Sequence, residues 1–180
     1  DHGEAFWQHG VYGHGRHIYD EFGKIPLLIR IPGMESLAGR RVSEVVSLKD
    51  LLPTYLDLLS LEIPDHLEGK SLLPLIAGDK EGFEQRIVFT RGTHGDAPEF
   101  GMRYGRYKWV YRVYDGNYLL FDMVADPGEL NDLSDQPIPR ELREVRKEIA
   151  KWIATGTGRI EAVDDLDPAT EERLKAIGYF

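Results

Sequence analysis

The sequence predicts an α/β fold, in which the end of an α/β domain is followed by a small antiparallel sheet packed with helices. Residues 25–33 (IPLLIRIPG) are a short apolar run between prolines, which is typical of a strand buried on both faces. After about residue 84, segments of β-branched and aromatic residues alternate with short turns, which indicates an antiparallel meander. Residues 140–155 repeat apolar side chains at helical spacing. We therefore divide the chain into residues 1–84 and residues 85–180.

Length and composition agree with a globular chain. The 180 residues are 42% hydrophobic and 29% charged, which suffices for one ordinary domain. The formal net charge of −9 argues against nucleic acid as a partner, because phosphate contacts need a basic surface. The chain has no cysteine, which excludes disulfides and thiolate metal ligands. No apolar run reaches transmembrane length, and the sequence leaves the compartment and the oligomeric state open.

Local signals place the helices of the first part and of the C-terminus. Residues 47–50 (SLKD) resemble a helix-start box, and Pro53 must then lie in the first turn of the helix that follows. A short leucine-rich helix is expected at residues 71–76. A last helix is expected from the cap at Asp167 to Gly178.

The meander is predicted to contain four strands. Arg106 and Lys108 are expected to be charges on an edge strand, and residues 126–129 (DPGE) to form a turn after the last strand. The predicted strands are residues 86–90, 100–104, 106–113 and 118–122.

The first residues of the chain hold the candidate metal ligands. Four of the six histidines lie within the first 17 residues, among glycines. Asp1 and His2 place a carboxylate beside an imidazole, and a bend at the end of a strand would let both reach one ion. Imidazole favours zinc or manganese, but a zinc site needs about three protein ligands. An Asp-His pair is also common in proteins and by itself usually binds no metal.

His14 is the candidate catalytic residue. It stands between Gly13 and Gly15, which shield its ring little and let the backbone approach a ligand closely. A histidine there can donate a hydrogen bond to an anion or protonate a leaving oxygen. Arg16 and His17 add further donor groups nearby.

Plainer interpretations apply to the neighbouring residues. Histidines such as His9 and His17 more often serve a loop or an interface than a ligand. Phe6, Trp7 and Tyr12 are expected to be packing residues and not a substrate platform. No serine stands in an elbow-like setting, so the sequence offers no support for Ser-His-Asp catalysis.

The order of these features resembles the sulfatases of the alkaline phosphatase superfamily, and specifically their C-terminal portion. In that family a strand ends in an Asp-His-Gly-Glu stretch, and an apolar run with a Pro-Gly turn follows downstream. The matching segments here span nearly all 180 residues. They are DHGE (1–4), GHG (13–15), IPLLIRIPG (25–33), VSLKDLLPT (46–54), LEGKSLLPL (67–75), YKWV (107–110) and LFDMVADPGELNDL (120–133).

The resemblance implies a fold and a set of roles. Residues 1–84 would be the end of the catalytic domain of an alkaline-phosphatase-like α/β/α sandwich, with its metal and anion loop, and residues 85–180 its antiparallel subdomain. Asp1 and His2 fall on the family's second pair of ligands for one divalent metal, most often calcium. His14 falls where members carry a Lys or His that holds the ester oxygens or serves the leaving group. His9 falls on a position that is often histidine, with a supporting role; with Arg16 and His17 it completes the predicted substrate-binding set.

The resemblance also implies what this chain lacks. The family's nucleophile, a Cys or Ser converted to formylglycine, belongs to an upstream Cys/Ser-x-Pro-x-Arg motif, and no such motif occurs here. The sequence thus predicts part of a metal-dependent sulfatase that hydrolyses small-molecule or glycan sulfate esters and is inactive as this chain alone. The alternatives are a phosphoesterase, phosphonate monoester hydrolase or phosphoethanolamine transferase of the same superfamily, and a non-catalytic module.

Overall fold

The structure, a computed structural model, describes residues 2–15, 17–92 and 99–156. The chain divides into two compact units, with the boundary after residue 139. The predicted metal ligand Asp1, the predicted substrate residue Arg16 and the expected helix at 167–178 lie outside the described residues. The domain boundary at residue 84 stays a prediction.

A four-stranded antiparallel sheet organises the first unit. Its strands are β3 (Ile87–Arg91), β4 (Glu99–Tyr104), β5 (Tyr107–Arg112) and β6 (Tyr118–Asp122). They pair in the order β3-β4-β5-β6, with Met102 opposite Trp109 and Trp109 opposite Leu120. The predicted meander is confirmed, because each strand begins and ends within one residue of its predicted position.

The N-terminal segment packs on this sheet through Ile18. A Cβ atom at Gly101 of β4 would lie 2.4 Å from Ile18 Cδ1, so the glycine makes room for the isoleucine. This packing attaches the N-terminal segment that contains His2, His9, His14 and His17, here called the histidine-rich segment, to the sheet. The core around it consists of Ile18, Val110, Leu119, Phe121 and Met123.

Ahead of the sheet lie two helices that the sequence predicts correctly. A 3-10 turn at Leu48–Asp50 leads into α2 (Leu51–Leu58), and α3 (Leu73–Ala77) follows. Ser47 and Asp50 form the expected capping box. Pro53 is buried in the first turn of α2, where a missing N–H costs nothing.

The strand predicted at residues 25–33 is wrong for this structure. The segment has no regular secondary structure, and Leu28 is 88% exposed. A strand buried on both faces needs neighbouring strands and covering layers. In the described part of the chain the strands of the sheet pair only with one another, so no strand pairs with this segment.

A small hairpin precedes the sheet. Strands β1 (Ala5–Phe6) and β2 (Tyr12–Gly13) pair antiparallel around a 3-10 turn at Gln8–Gly10, and the one-turn helix α1 (Asp20–Gly23) comes next. A further 3-10 turn lies at Glu35–Leu37. Together these helices and antiparallel sheets confirm the α/β class.

The second unit begins with the predicted amphipathic helix. Helix α4 (Arg140–Gly156) ends at the glycine expected to stop it, and Leu142 on its apolar stripe is buried. Among the helices of the described ranges, none is long and apolar enough to cross a membrane.

Candidate functional site

His2 and His14 lie together at the N-terminal hairpin. Their rings stack with centroids 4.5 Å apart and an interplanar angle of 26°. His14 Nδ1 lies 3.0 Å from Glu4 Oε2. Because an ionised carboxylate can only accept, the hydrogen bond places the proton of His14 on Nδ1. The structure therefore joins the predicted catalytic residue to the one predicted metal ligand that it describes.

The register of the hairpin explains this arrangement. Ala5 pairs with Gly13 and Phe6 with Tyr12, so Glu4 and His14 come next to each other on the following rung. Gly13 and Gly15 have φ values of 93° and 98°, in the left-handed region that glycine adopts without steric cost. The two glycines that flank His14 in the sequence thus make its bend.

His2 is placed by a close approach between two backbones. Gly3 N–H donates to the carbonyl of Phe22 at 2.8 Å, and a Cβ atom at Gly3 would lie only 1.9 Å from the Glu21 carbonyl oxygen. No side chain fits there, so the Asp-His-Gly sequence needs its glycine to lay His2 beside α1.

Replacing Gly3 with alanine is expected to displace His2, because the backbone of α1 must move to admit the methyl group. Calcium titration of the full-length protein should show affinity lower by about tenfold or more, the loss typical when a ligand's support is disturbed. Gly23→Ala is the matched control, since its Cβ would come no nearer than 3.9 Å to other atoms. Equal calcium affinity in both variants would contradict the role given to Gly3.

The described residues do not form a metal site by themselves. Among them, no group of three or more His, Asp or Glu side chains is placed to hold an ion. His2 Nδ1 lies 2.9 Å from the Gly3 carbonyl oxygen, so Nδ1 carries the proton of the neutral ring. One oriented imidazole fits half of a ligand pair, and the Asp1/His2 site stays a prediction.

His9 is anchored to the turn after the sheet. Its Nε2 lies 3.0 Å from the Gly128 carbonyl oxygen, and its Nδ1 lies 3.4 Å from the carboxylate of Glu21. The ring also stacks on Tyr19 at 3.8 Å, nearly parallel. Both ring nitrogens thus face protein groups, and a substrate contact by His9 stays a prediction.

His17 is held by a buried carboxylate. Its Nδ1 lies 2.9 Å from Glu99 Oε1, while Glu99 Oε2 accepts from the Ile18 N–H at 3.2 Å. Glu99 opens β4 and is almost fully buried. The contact ties the segment after His14 to the sheet, and substrate binding by His17 likewise stays a prediction.

A buried charge cluster next to the N-terminal segment was not predicted from the sequence. Lys108 Nζ lies 2.8 Å from Glu129 Oε1 and 3.1 Å from Asp20 Oδ1, and Glu129 Oε2 accepts from the Asp20 N–H at 2.5 Å. Lys108 is therefore not the edge charge that was expected, because β5 lies between β4 and β6. The hydropathy pattern does not indicate this cluster, and of its members only Glu129 belongs to a predicted feature, the turn at residues 126–129.

The cluster changes the acidity of its neighbourhood. Burial raises the pKa of Glu129, against the opposing pull of Lys108. Burial, with the carboxylates of Glu99 and Glu129, raises the pKa of Tyr19 to about 12. Tyr19 thus remains a neutral ring against which His9 stacks.

Comparison with solved structures agrees with this fold. A crystal structure from Bacteroides thetaiotaomicron, ascribed to the sulfatases, superposes with a TM-score of 0.74 and 26% identity over 94% of this chain and 38% of its own. The likeness extends over nearly the whole chain, and it confirms the predicted fold class.

The chain belongs to the sulfatase family. Residues 7–155 match the family model described as N-sulphoglucosamine sulphohydrolase, C-terminal. The ulvan-active sulfatase of Formosa agariphila is 31% identical over 76% of this chain, and arylsulfatase K of Xenopus laevis is 31% identical over 83%. The matches cover 28% and 29% of those relatives, so this chain spans less than a third of their length.

Proposed function

We propose that this chain forms one rim of the active site of a metal-dependent sulfatase. The observation that carries the proposal is the contact of His2, His14 and Glu4 at the hairpin of a sulfatase-family chain. The formylglycine nucleophile and the other metal ligands would come from residues outside this chain. The rim residues themselves would hold the ester and serve its leaving oxygen.

His14 would act at the leaving group of the ester. Glu4 holds its imidazole through Nδ1, and in the charged imidazolium form Nε2 would carry a second proton, which it would donate in a hydrogen bond to a sulfate oxygen or transfer to the departing alkoxide, leaving a neutral imidazole. A carboxylate partner also stabilises the charged imidazolium form, as in other histidine catalysts. Glu4 is thus a positioning residue for His14.

His2, with Asp1, would hold one divalent metal. The family resemblance favours calcium, with zinc or manganese as alternatives because an imidazole is among the donors. When bound, such an ion would polarise the sulfate oxygens as a Lewis acid. His2 is oriented for this by its own Nδ1 contact with the Gly3 carbonyl.

The charge of the chain makes local cations necessary. A formal net charge of −9 gives an overall field that repels a sulfate ester. The ester must therefore be attracted by groups at the site itself, namely the metal and the side chains of His14, Arg16 and His17. Only His14 and His17 of these side chains are described, and both lie on the segment that the sheet supports.

The substrate would be a sulfate ester of a small molecule or a glycan. The two relatives carry the names of an aryl sulfatase and of an ulvan-active sulfatase, and the family model that of a glucosamine-directed hydrolase. The test is an assay of the full-length protein with an aryl sulfate and the matching aryl phosphate and phosphonate. Chelator-sensitive release of sulfate supports the proposal; preferred release of phosphate or phosphonate, or no turnover, overturns it.

Replacing His14 with alanine is expected to lower kcat of the full-length protein by roughly a hundredfold or more, the usual loss when a positioned proton donor is removed. His66→Ala is the matched control, because His66 is an exposed histidine in a turn far along the sequence. Sulfate release from an aryl sulfate gives the rates. Full activity in His14→Ala would remove this residue from the chemistry.

A further inference from the structure

Three aromatic side chains at the tip of the N-terminal hairpin are exposed together. Phe6, Trp7 and Tyr12, here called the aromatic platform, have 64%, 71% and 65% of their surface exposed. The Tyr12 ring lies 5.6 Å from that of Trp7 and 6.3 Å from that of Phe6. The sequence predicts packing residues here, but in the structure the three side chains are largely exposed, and the Tyr12 ring contacts each of the other two.

The platform adjoins the candidate catalytic residue by the register of the hairpin. Phe6 and Tyr12 form one rung, and Glu4 and His14 meet on the rung two residues along each strand. Two residues of a strand span about 7 Å. A group attached to the leaving oxygen at His14 would therefore reach the aromatic rings without a long linker.

The backbone holds the platform in a fixed and costly conformation. Trp7 has φ 71°, a left-handed value that is rare for a bulky residue. Such strain persists where the surroundings enforce it, and it concentrates at ligand-binding sites. Here the surroundings are the Trp7 N–H, which donates to Val11 at 2.8 Å, and the anchored His9 two residues further on.

We infer that the aromatic platform is a sugar-binding subsite, which receives a pyranose ring of a sulfated glycan while its sulfate lies at His14. The inference rests on the proposed function and specifies its substrate class. Aromatic rings stack on the C–H face of a sugar. The hydroxyl of the Tyr12 side chain and the indole N–H of the Trp7 side chain could also form hydrogen bonds with the sugar hydroxyl groups. The amide side chain of Gln8, whose oxygen accepts the Phe6 N–H, gives a further polar group at the hairpin.

The test compares sugar esters with inorganic sulfate on the full-length protein. Glucosamine-6-sulfate and ulvan oligosaccharides serve as substrates, and inorganic sulfate as a competitive inhibitor that needs only the anion site. Trp7→Ala and Tyr12→Ala are expected to raise KM for the sugar ester about tenfold, with kcat and the inhibition constant of sulfate little changed. Tyr12→Phe keeps the ring and should raise KM less than Tyr12→Ala does, and Tyr55→Ala, at an exposed aromatic on α2, is the matched control that should retain the wild-type KM.

Each other outcome contradicts the inference. An unchanged KM would show that the rings do not touch sugar. A lowered melting temperature, with equal losses for sugar ester and inorganic sulfate, would show that another part of the polypeptide packs on them. Failure of the proposed function is distinct, because then the wild-type protein releases sulfate from none of these esters.

Discussion

Asp50→Ala is expected to destabilise the protein by about 3–5 kcal/mol at neutral pH, the usual cost of leaving a buried charge without its partner. Asp50 is completely buried, and both its oxygens accept from Arg86 at 2.6 Å. The same oxygens accept the N–H of Ser47 at 2.8 Å and of Lys70 at 2.9 Å. One carboxylate thus joins the start of α2, the loop before α3 and the approach to β3.

Urea unfolding followed by tryptophan fluorescence measures the loss. Asp50→Asn keeps the shape of the side chain and part of its hydrogen bonding, so its free energy of unfolding should lie between those of wild type and Asp50→Ala. If the alanine variant does not fold, a loss of stability in Asp50→Asn still tests the argument. Glu68→Ala is the matched control, because the neighbouring Lys49–Glu68 pair is exposed and contributes about 1 kcal/mol or less. A loss in Asp50→Ala no larger than in Glu68→Ala would contradict the argument.

The pH dependence of this loss has a definite sign. Burial alone would raise the pKa of Asp50, but the hydrogen bonds from Arg86, Lys70 and Ser47 outweigh it and hold the pKa below its usual range. A lowered carboxyl pKa contributes stability that is present above the unfolded value of about 3.9 and is lost as the pH falls through the folded value. The gap between wild type and Asp50→Ala should therefore persist from pH 7 to pH 5 and narrow only in stronger acid.

Local signals in the sequence sufficed wherever local physics decides the structure. The capping box at residues 47–50, the leucine-rich helix and the four strands were all predicted, because caps, periodicity and turns act within a few residues. The strand prediction for residues 25–33 was wrong because it depended on contacts with distant parts of the chain. A strand buried on both faces is defined by its neighbours, and its composition cannot show whether they are present.

The candidate site divides in the same way. The bend at His14 follows from its two glycines, and that much is readable from the sequence. Its partner Glu4 and the stack on His2 depend on the register of the hairpin, which two-residue strands hardly reveal. Lys108 was taken for an edge charge because its two partners are distant in the sequence: Asp20 lies 88 residues before it and Glu129 follows 21 residues after it. Aspartate and lysine so far apart give no periodic signal.

Lys108→Met is the second large effect, expected to cost about 3–5 kcal/mol at neutral pH. The substitution leaves Glu129, whose side chain is 1% exposed, without its cation, while Asp20 keeps partial access to water. Arg106→Met is the matched control on the same sheet, because the Arg106–Asp122 pair is more exposed and contributes about 1 kcal/mol or less. Urea unfolding again gives the free energies, and equal losses in the two variants would contradict the prediction.

The double variant Lys108→Met/Glu129→Gln separates a stranded charge from lost packing. A glutamine oxygen can still accept the Asp20 N–H that Glu129 Oε2 accepts at 2.5 Å, so the double variant should recover much of the loss. If the double variant is as unstable as Lys108→Met, the cost lies in packing around the lysine stem and not in the unpaired carboxylate.

The deficit of Lys108→Met should shrink on acidification, as that of Asp50→Ala does, but in a higher pH range. Burial raises the pKa of Glu129 even beside the lysine, and removal of the lysine raises it further. An acid whose pKa is raised on folding destabilises the protein above its unfolded value of about 4.3, and the penalty is relieved as protonation neutralises it. The deficit of Lys108→Met should therefore shrink as the pH falls from 7 toward 4, where that of Asp50→Ala is still nearly complete.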